Sequence, residues 1–118
     1  MITGIDHIEF CVGNVEAVAE FFKNMGFKEI RRTDHHGGAV ELQIPGDSGV
    51  TFEFHYGKPA ETVGLNHIAF KVDDMEQTYA EFCEKGIKFV EPPKHSGNRG
   101  GQIANTRCPA HLRYQFVD

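Results

Sequence analysis

Four residues of this 118-residue chain stand where metal chemistry would need them. His7 and His67 each open an apolar stretch of strand character, and Glu53 and Gln115 each sit in the last such stretch before a break. Two imidazoles, a carboxylate and a carboxamide oxygen form an N2O2 donor set for a divalent ion, with positions left for water or substrate. Ligands of this hardness suit Zn, Ni, Co, Mn or Fe(II), one ion per site, and the general affinity order of divalent metals does not choose among them. One strand histidine alone is ordinarily a hydrogen-bonded residue; what favours ligation is that the pattern occurs twice. Gln115 reads equally as a ligand and as a hydrogen-bonding neighbour.

The elements that must hold these residues are themselves repeated. His7-Ile8-Glu9-Phe10-Cys11-Val12 aligns with His67-Ile68-Ala69-Phe70-Lys71-Val72, and Glu16, Phe22, Gly26 and Lys28 recur as Glu76, Phe82, Gly86 and Lys88, all at an offset of sixty. Thr51-Phe52-Glu53-Phe54 answers Arg113-Tyr114-Gln115-Phe116 at sixty-two. A duplicated unit organises the chain. Residues 4–12 alternate apolar and polar, the period of a half-buried strand. Asn14 can cap a helix carrying Val15, Val18, Ala19, Phe22 and Met25 on one stripe, and Gly26 can end it. Strands come next near 27–33, 39–44 and 49–56. In the second copy a strand at 64–72 leads to a helix opened by Asp74 and Gln77, which resemble a capping box, and ended by Gly86. Strands near 87–91, 101–107 and 111–117 complete it. Each copy reads βαβββ, so the expected fold is α+β: two tandem modules, about 1–57 and 64–118, in a single domain spanning 1–118. They should share a cup-shaped mixed sheet with the helices outside. Neither unit can cover its sheet alone, so pairing within one chain or between two is required.

Equivalent positions of two related units face each other across a pseudo-twofold axis, which sets His7 against His67 and Glu53 against Gln115. Val50, Phe52, Phe54 and Tyr56 alternate with Thr51, Glu53 and His55, and Leu112, Tyr114 and Phe116 with Arg113 and Gln115. The apolar faces pack on helices; the other faces turn His7, Glu9, Glu53, His55, His67, Lys71, Arg113 and Gln115 toward one polar cup. Glu9, two residues from His7 on the same face, is a candidate acid or base. His55, Lys71 and Arg113 read as polar lining that meets substrate. The run 92–101, rich in glycine, reads as a flap in which Lys94 or Arg99 meets a carboxylate or phosphate. His35-His36, beside Gly37-Gly38, reads as an exposed hairpin turn. Cys11 has no evident activating neighbour and reads as buried lining.

Composition narrows the function classes. Seventeen acids against twelve bases leave a charge of −5, which argues against a nucleic-acid partner and for a small-molecule substrate. Cys11, Cys83 and Cys108 are odd in number and lack C-x-x-C spacing, so neither a disulfide framework nor a thiolate zinc site is expected, and a reducing cytoplasm fits. No charged and apolar leader precedes Gly4, and no apolar run approaches the roughly 18 residues of a membrane span.

The pattern H-I-x-F-x-V-x-(N/D) before a helix, the stretch Phe52-Glu53-Phe54-His55-Tyr56-Gly57 and the second Asn66-His67-Ile68-Ala69-Phe70 together resemble the vicinal oxygen chelate superfamily over essentially the whole chain. That superfamily holds glyoxalase I, methylmalonyl-CoA epimerase, fosfomycin-resistance and bleomycin-binding proteins, and extradiol dioxygenases. The resemblance implies paired βαβββ modules, a metal held by His7, Glu53, His67 and Gln115, and a homodimer, with the site closed within one chain or across two. The E-x-x-Y-G context of Glu53 is most similar to glyoxalase I. The opening strand and helix, through Asn14 and 21–27, also resemble hydroxyphenylpyruvate dioxygenases. Where many members end on an Asp-Pro-x-Gly turn and a ligating Glu, this chain has Cys108-Pro109-Ala110-His111 and Gln115, so one of two carboxylates able to move a proton is missing. The implied activity is that of a metal-dependent lyase or isomerase of glyoxalase I type, moving a proton next to a carbonyl through an enediolate. Glu53 would be ligand and base there, and His55, Lys71, Arg99 and Arg113 would touch substrate. The alternatives are an Fe(II) dioxygenase built on His7, His67 and Glu53, and a noncatalytic drug- or metabolite-binding protein of bleomycin-resistance type.

Overall fold

The computed structural model describes residues 1–46, 49–57, 61–97, 100–107 and 113–118, with the backbone only of Arg107. The chain resolves into two compact units, one of His7–Asn66 and one of Met1–Asp6 with His67–Asp118. The first begins within β1 (Ile2–Val12) and continues through α1 (Val15–Asn24), β2 (Lys28–Thr33), a 3-10 turn at His35–Gly37, β3 (Ala39–Gln43) and β4 (Thr51–Tyr56). Its strands lie in the order β2-β3-β4-β1, with β1 and β4 parallel and the other pairs antiparallel.

Asn14 stops the strand and starts the helix, its side chain accepting the Ala17 amide at 3.0 Å. Gly26 comes after the helix at φ +99°, a conformation that favours glycine. The stripe facing the sheet buries Val15 and Ala19 against Val40, Leu42 and Phe54, and Phe10, Phe22, Phe27 and Phe52 close round them. The Phe22 ring stacks on Phe54 at 5.1 Å and meets Phe27 edge-on at 5.0 Å. This aromatic packing commits one face of the sheet to the helix and leaves the opposite face to polar side chains.

The second unit holds most of β5 (Gly64–Val72), then α2 (Met75–Glu84), β6 (Lys88–Phe89), β7 (Lys94–His95), β8 (Gln102–Arg107) and β9 (Tyr114–Val117). The order is β5-β9-β8-β6, with β7 on β8 and β5 parallel to β9. Val72, Met75, Ala104 and Phe116 form its core. Both units therefore have the expected strand, helix and strands, and the fold is α+β with mixed sheets.

Three details depart from the sequence reading. Residues 1–6 join the second unit instead of the first: the Met1 amino group reaches Asp73 Oδ1 at 3.0 Å and Thr78 Oγ1 at 2.7 Å. The run expected to be a free flap contains β7, which pairs Lys94 with Ile103 and His95 with Gln102, and the backbone N–H of Ser96 donates to Gly101 O at 3.0 Å. Lys94 forms an ion pair with Glu91. The capping box is half made: Asp74 accepts the Gln77 amide at 2.9 Å, but the Gln77 side chain donates to Glu81 Oε1, one turn on, at 2.9 Å.

Candidate functional site

In the His7–Asn66 unit, strand register aligns the polar face into rows. His7 lies beside Thr51, and Thr51 beside Gln43. The next row is acidic: Glu9 is opposite Glu53 on β4, Glu53 opposite Glu41 on β3, and Glu41 opposite Arg31 on β2. A bulge between Glu29 and Arg31 makes this end possible. The extra residue reverses the facing of its successors, sending Arg31 to the polar side and Arg32 to the helix side, where it pairs with Glu16. Arg31 Nε donates to Glu41 Oε2 at 2.5 Å.

The third row brings Cys11, His55 and Ala39 together, and its centre is closed. His55 is 0% exposed. Its Nδ1 lies 3.2 Å from Glu9 Oε2 and its Nε2 3.3 Å from Glu61 Oε1, whose oxygen also accepts Asn66 Nδ2 at 3.1 Å. The expectation that His55 lines an open face meeting substrate is corrected here: the ring is enclosed, with a carboxylate at each nitrogen. His35-His36 is corrected as well. Neither residue is fully exposed, and the His36 ring stacks on His55 at 4.6 Å with 30° between planes. Cys11 is buried, as expected, and burial followed by the negative charges of Glu61 and Glu9 raises its thiol above the ordinary value, which keeps it protonated and unreactive. Gly57 is what lets the thiol sit there, because a Cβ at that position would come within 2.5 Å of Cys11 Sγ.

The second unit repeats the geometry with a different chemistry. Ala69 takes the place of Glu9, Gln115 lies opposite it on β9, and Asn105 opposite Gln115 on β8. Gln115 Nε2 donates to Asn105 Oδ1 at 3.1 Å, so the carboxamide oxygen is the atom left to meet a cation. In both units the histidine precedes by two residues the position that the glutamate or glutamine faces, and His7, His67 and Gln115 are all buried.

These features, two modules with one His and one oxygen donor each, have a counterpart among known proteins: residues 4–116 match the Glyoxalase/Bleomycin resistance protein/Dioxygenase superfamily. The chain belongs to that superfamily. It is the vicinal oxygen chelate group that the residues resemble, and it includes enzymes. A curated relative, 4-hydroxyphenylpyruvate dioxygenase of Yarrowia lipolytica, is 29% identical over 117 residues, covering 85% of this chain, while the chain spans only 30% of that protein's length. Methylmalonyl-CoA epimerase of Streptomyces coelicolor, in complex with 2-nitronate-propionyl-CoA, superposes with a TM-score of 0.81 at 20% identity, covering 99% of this chain and 97% of that one. A hypothetical protein of Bacillus halodurans C-125 gives 0.77 at 22%, covering 96% and 91%. At such identities the structural likeness shows the shared fold.

Of the other residues expected to meet substrate, Lys71 is half-buried on β5, and its carbonyl accepts Thr3 Oγ1 at 3.5 Å. Arg113 is exposed, its carbonyl accepting the Ile68 amide at 3.4 Å. Arg99 and the Cys108-Pro109-Ala110-His111 turn lie outside the described residues. Sequence reading passed over Glu41, Glu61 and Asn105. Glu41 had a signal, since Val40-Glu41-Leu42 alternates like the neighbouring strands. Glu61 had none, because it comes after a turn and reaches His55 only in three dimensions. No described helix is long and apolar enough to cross a membrane.

Proposed function

We propose that this protein is a metal-dependent lyase or isomerase that moves a proton at a carbon next to a carbonyl on a small substrate with neighbouring oxygens. The observation that carries the reading is the state of the acidic row. Glu9 is engaged by His55 and Glu41 by Arg31, whereas Glu53, between them, makes no hydrogen bond or ion pair among the described residues. A carboxylate so placed on a rigid strand is available to a cation, to a substrate proton, or to each in turn. By the superfamily resemblance, His7, Glu53, His67 and Gln115 would hold one divalent ion; the orientation of Gln115 by Asn105 fits that role, as does the borderline character of the donors. The ion would supply Lewis-acid polarisation of the substrate oxygens. Glu53 takes the proton and returns it, His7 and His67 orient the site, and Lys71, Arg99 and Arg113 meet the substrate's anionic groups. Glu9, tied to His55, serves beside Glu53 as a fixed negative neighbour instead of a mobile acid.

His7, His67 and Glu53 would also supply the two-histidine, one-carboxylate set of an Fe(II) dioxygenase, but in the dioxygenases of the superfamily the carboxylate comes from the last strand, where this chain has the neutral Gln115. The length mismatch with the dioxygenase relative also makes that activity a weaker reading.

The test is solvent deuterium incorporation next to the carbonyl, using the hemithioacetal of methylglyoxal and glutathione and, in parallel, methylmalonyl-CoA, on protein loaded with Zn, Ni or Co. Incorporation by wild type and its loss in Glu53→Gln, with metal content retained, is expected. Full incorporation by Glu53→Gln would remove Glu53 from the role. Oxygen uptake with a 2-oxo acid would establish the dioxygenase reading, and a wild type that retains no ion would point to a binding protein.

A further inference from the structure

The half-buried His35 and His36 beside His55 have no task in the chemistry above. Glu9, His35 and His36 each place one ligand atom within 4.8 Å of the others, all inside the His7–Asn66 unit. We infer that these three residues form a second divalent-metal site, distinct from the set of His7, Glu53, His67 and Gln115, and selective for a borderline ion such as Zn, Co or Ni.

Several independent observations converge on it. Two imidazoles and a carboxylate make an N2O set, the combination that borderline ions prefer over Mg or Ca, whose sites are built from oxygen. Ligand atoms round a tetrahedral ion with bonds of about 2.0–2.2 Å lie about 3.4 Å apart, so side-chain rotations of roughly 1 Å close the set. Glu9 is 4% exposed and would not stand there without compensation. One of its oxygens faces His55, which is itself held by Glu61, a carboxylate that Asn66 in turn hydrogen-bonds, and this is the outer support that fixes a metal-binding carboxylate.

The backbone contributes the clearest sign. His36 is the one non-glycine residue with positive φ among those described, at +50°, and the left-handed turn carries its ring inward over His55. A residue without the freedom of glycine holds that conformation at some cost, and such strain collects at ligand sites. Glycine would be the unstrained occupant, yet an imidazole stands there, 3.9 Å centroid to centroid from the ring of His35. Three protein ligands leave the fourth tetrahedral position to water or a small anion.

The experiment is Co2+ and Zn2+ binding measured by equilibrium dialysis with elemental analysis, together with the long-range proton–nitrogen NMR signals of the imidazoles. His36→Gly preserves the turn while removing a ligand, so it separates loss of the site from loss of the fold; His35→Ala is its partner. In a His7→Ala background, which disables the other proposed site, we expect one ion still bound, with the His35 and His36 ring nitrogens shifted, and none after His36→Gly. A folded His7→Ala protein that binds no ion would overturn the inference, as would His36→Gly or His35→Ala leaving stoichiometry and affinity unchanged. Failure of the first site alone would show differently: wild type would bind a single ion that His36→Gly removes and His7→Ala leaves in place.

Discussion

Glu53 lies directly opposite Glu9 across the parallel β1–β4 pair, and the two carboxylates are held in opposite ways: Glu9 is enclosed and tied to His55, while Glu53 is half-buried with no hydrogen bond or ion pair among the described residues. Their substitutions should therefore separate. Glu53→Gln should leave the unfolding midpoint within about 0.5 kcal/mol of wild type, as expected where no partner is lost, and lower turnover by about 100-fold or more. Glu9→Ala should cost about 1–3 kcal/mol because His55 loses a buried partner. Urea denaturation beside the deuterium assay checks both; equal stability losses in the two variants would refute the distinction.

Gly57 and Cys11 should behave as a coupled pair. The Cβ of Gly57→Ala would meet the buried thiol at 2.5 Å, with the Glu61 Cβ at 3.5 Å beside it. Gly57→Ala is expected to destabilise by about 1–3 kcal/mol through overpacking. Removing the sulfur with Cys11→Ala should return much of that loss in the double variant. A double-mutant cycle by thermal or urea unfolding reads the coupling, and strict additivity would show that the two do not touch.

The helix starts offer a contrast between residues that look alike in sequence. Asp74 accepts the Gln77 amide, so Asp74→Ala should cost about 1 kcal/mol. Gln77→Ala should cost only a few tenths, about 0.2–0.5 kcal/mol, since its side chain joins Glu81 along the helix and closes no box. Equal losses at both positions would restore the capping box.

Acid should loosen the pairing of α1 with β2. Hydrogen bonds from Arg32 first, then Lys23, bring the Glu29 carboxyl down from 4.5 to about 2. A folded-state value below the unfolded one means the contribution is present above about pH 4.5 and disappears as pH falls toward 2. Wild type and Glu29→Gln should therefore differ in urea midpoint at pH 6 and converge near pH 2. Because the pair is on the surface, high salt should narrow the difference. A difference that persists at pH 2 would assign it to packing instead of charge.

The alternation in 4–12, the helix stripe from Val15 to Met25, the stop at Gly26 and the echo of His7 in His67 determined the elements, their repetition and the facing of His7, Glu9 and Glu53, because periodicity and turn chemistry are local properties written in consecutive residues. Register is not local. That Glu9, Glu53 and Glu41 form one row, that a bulge turns Arg31 to meet it, and that Glu61, held by Asn66, closes on His55 depend on which strand lies beside which and by how many residues it is offset. The inward turn of His36 is decided the same way: beside two glycines it reads as exposed, and only the packing of its ring on His55 makes the left-handed backbone worth holding. Sequence periodicity settled which side chains are polar and on which face; the tertiary structure decided which are paired, which are enclosed, and which remain able to act.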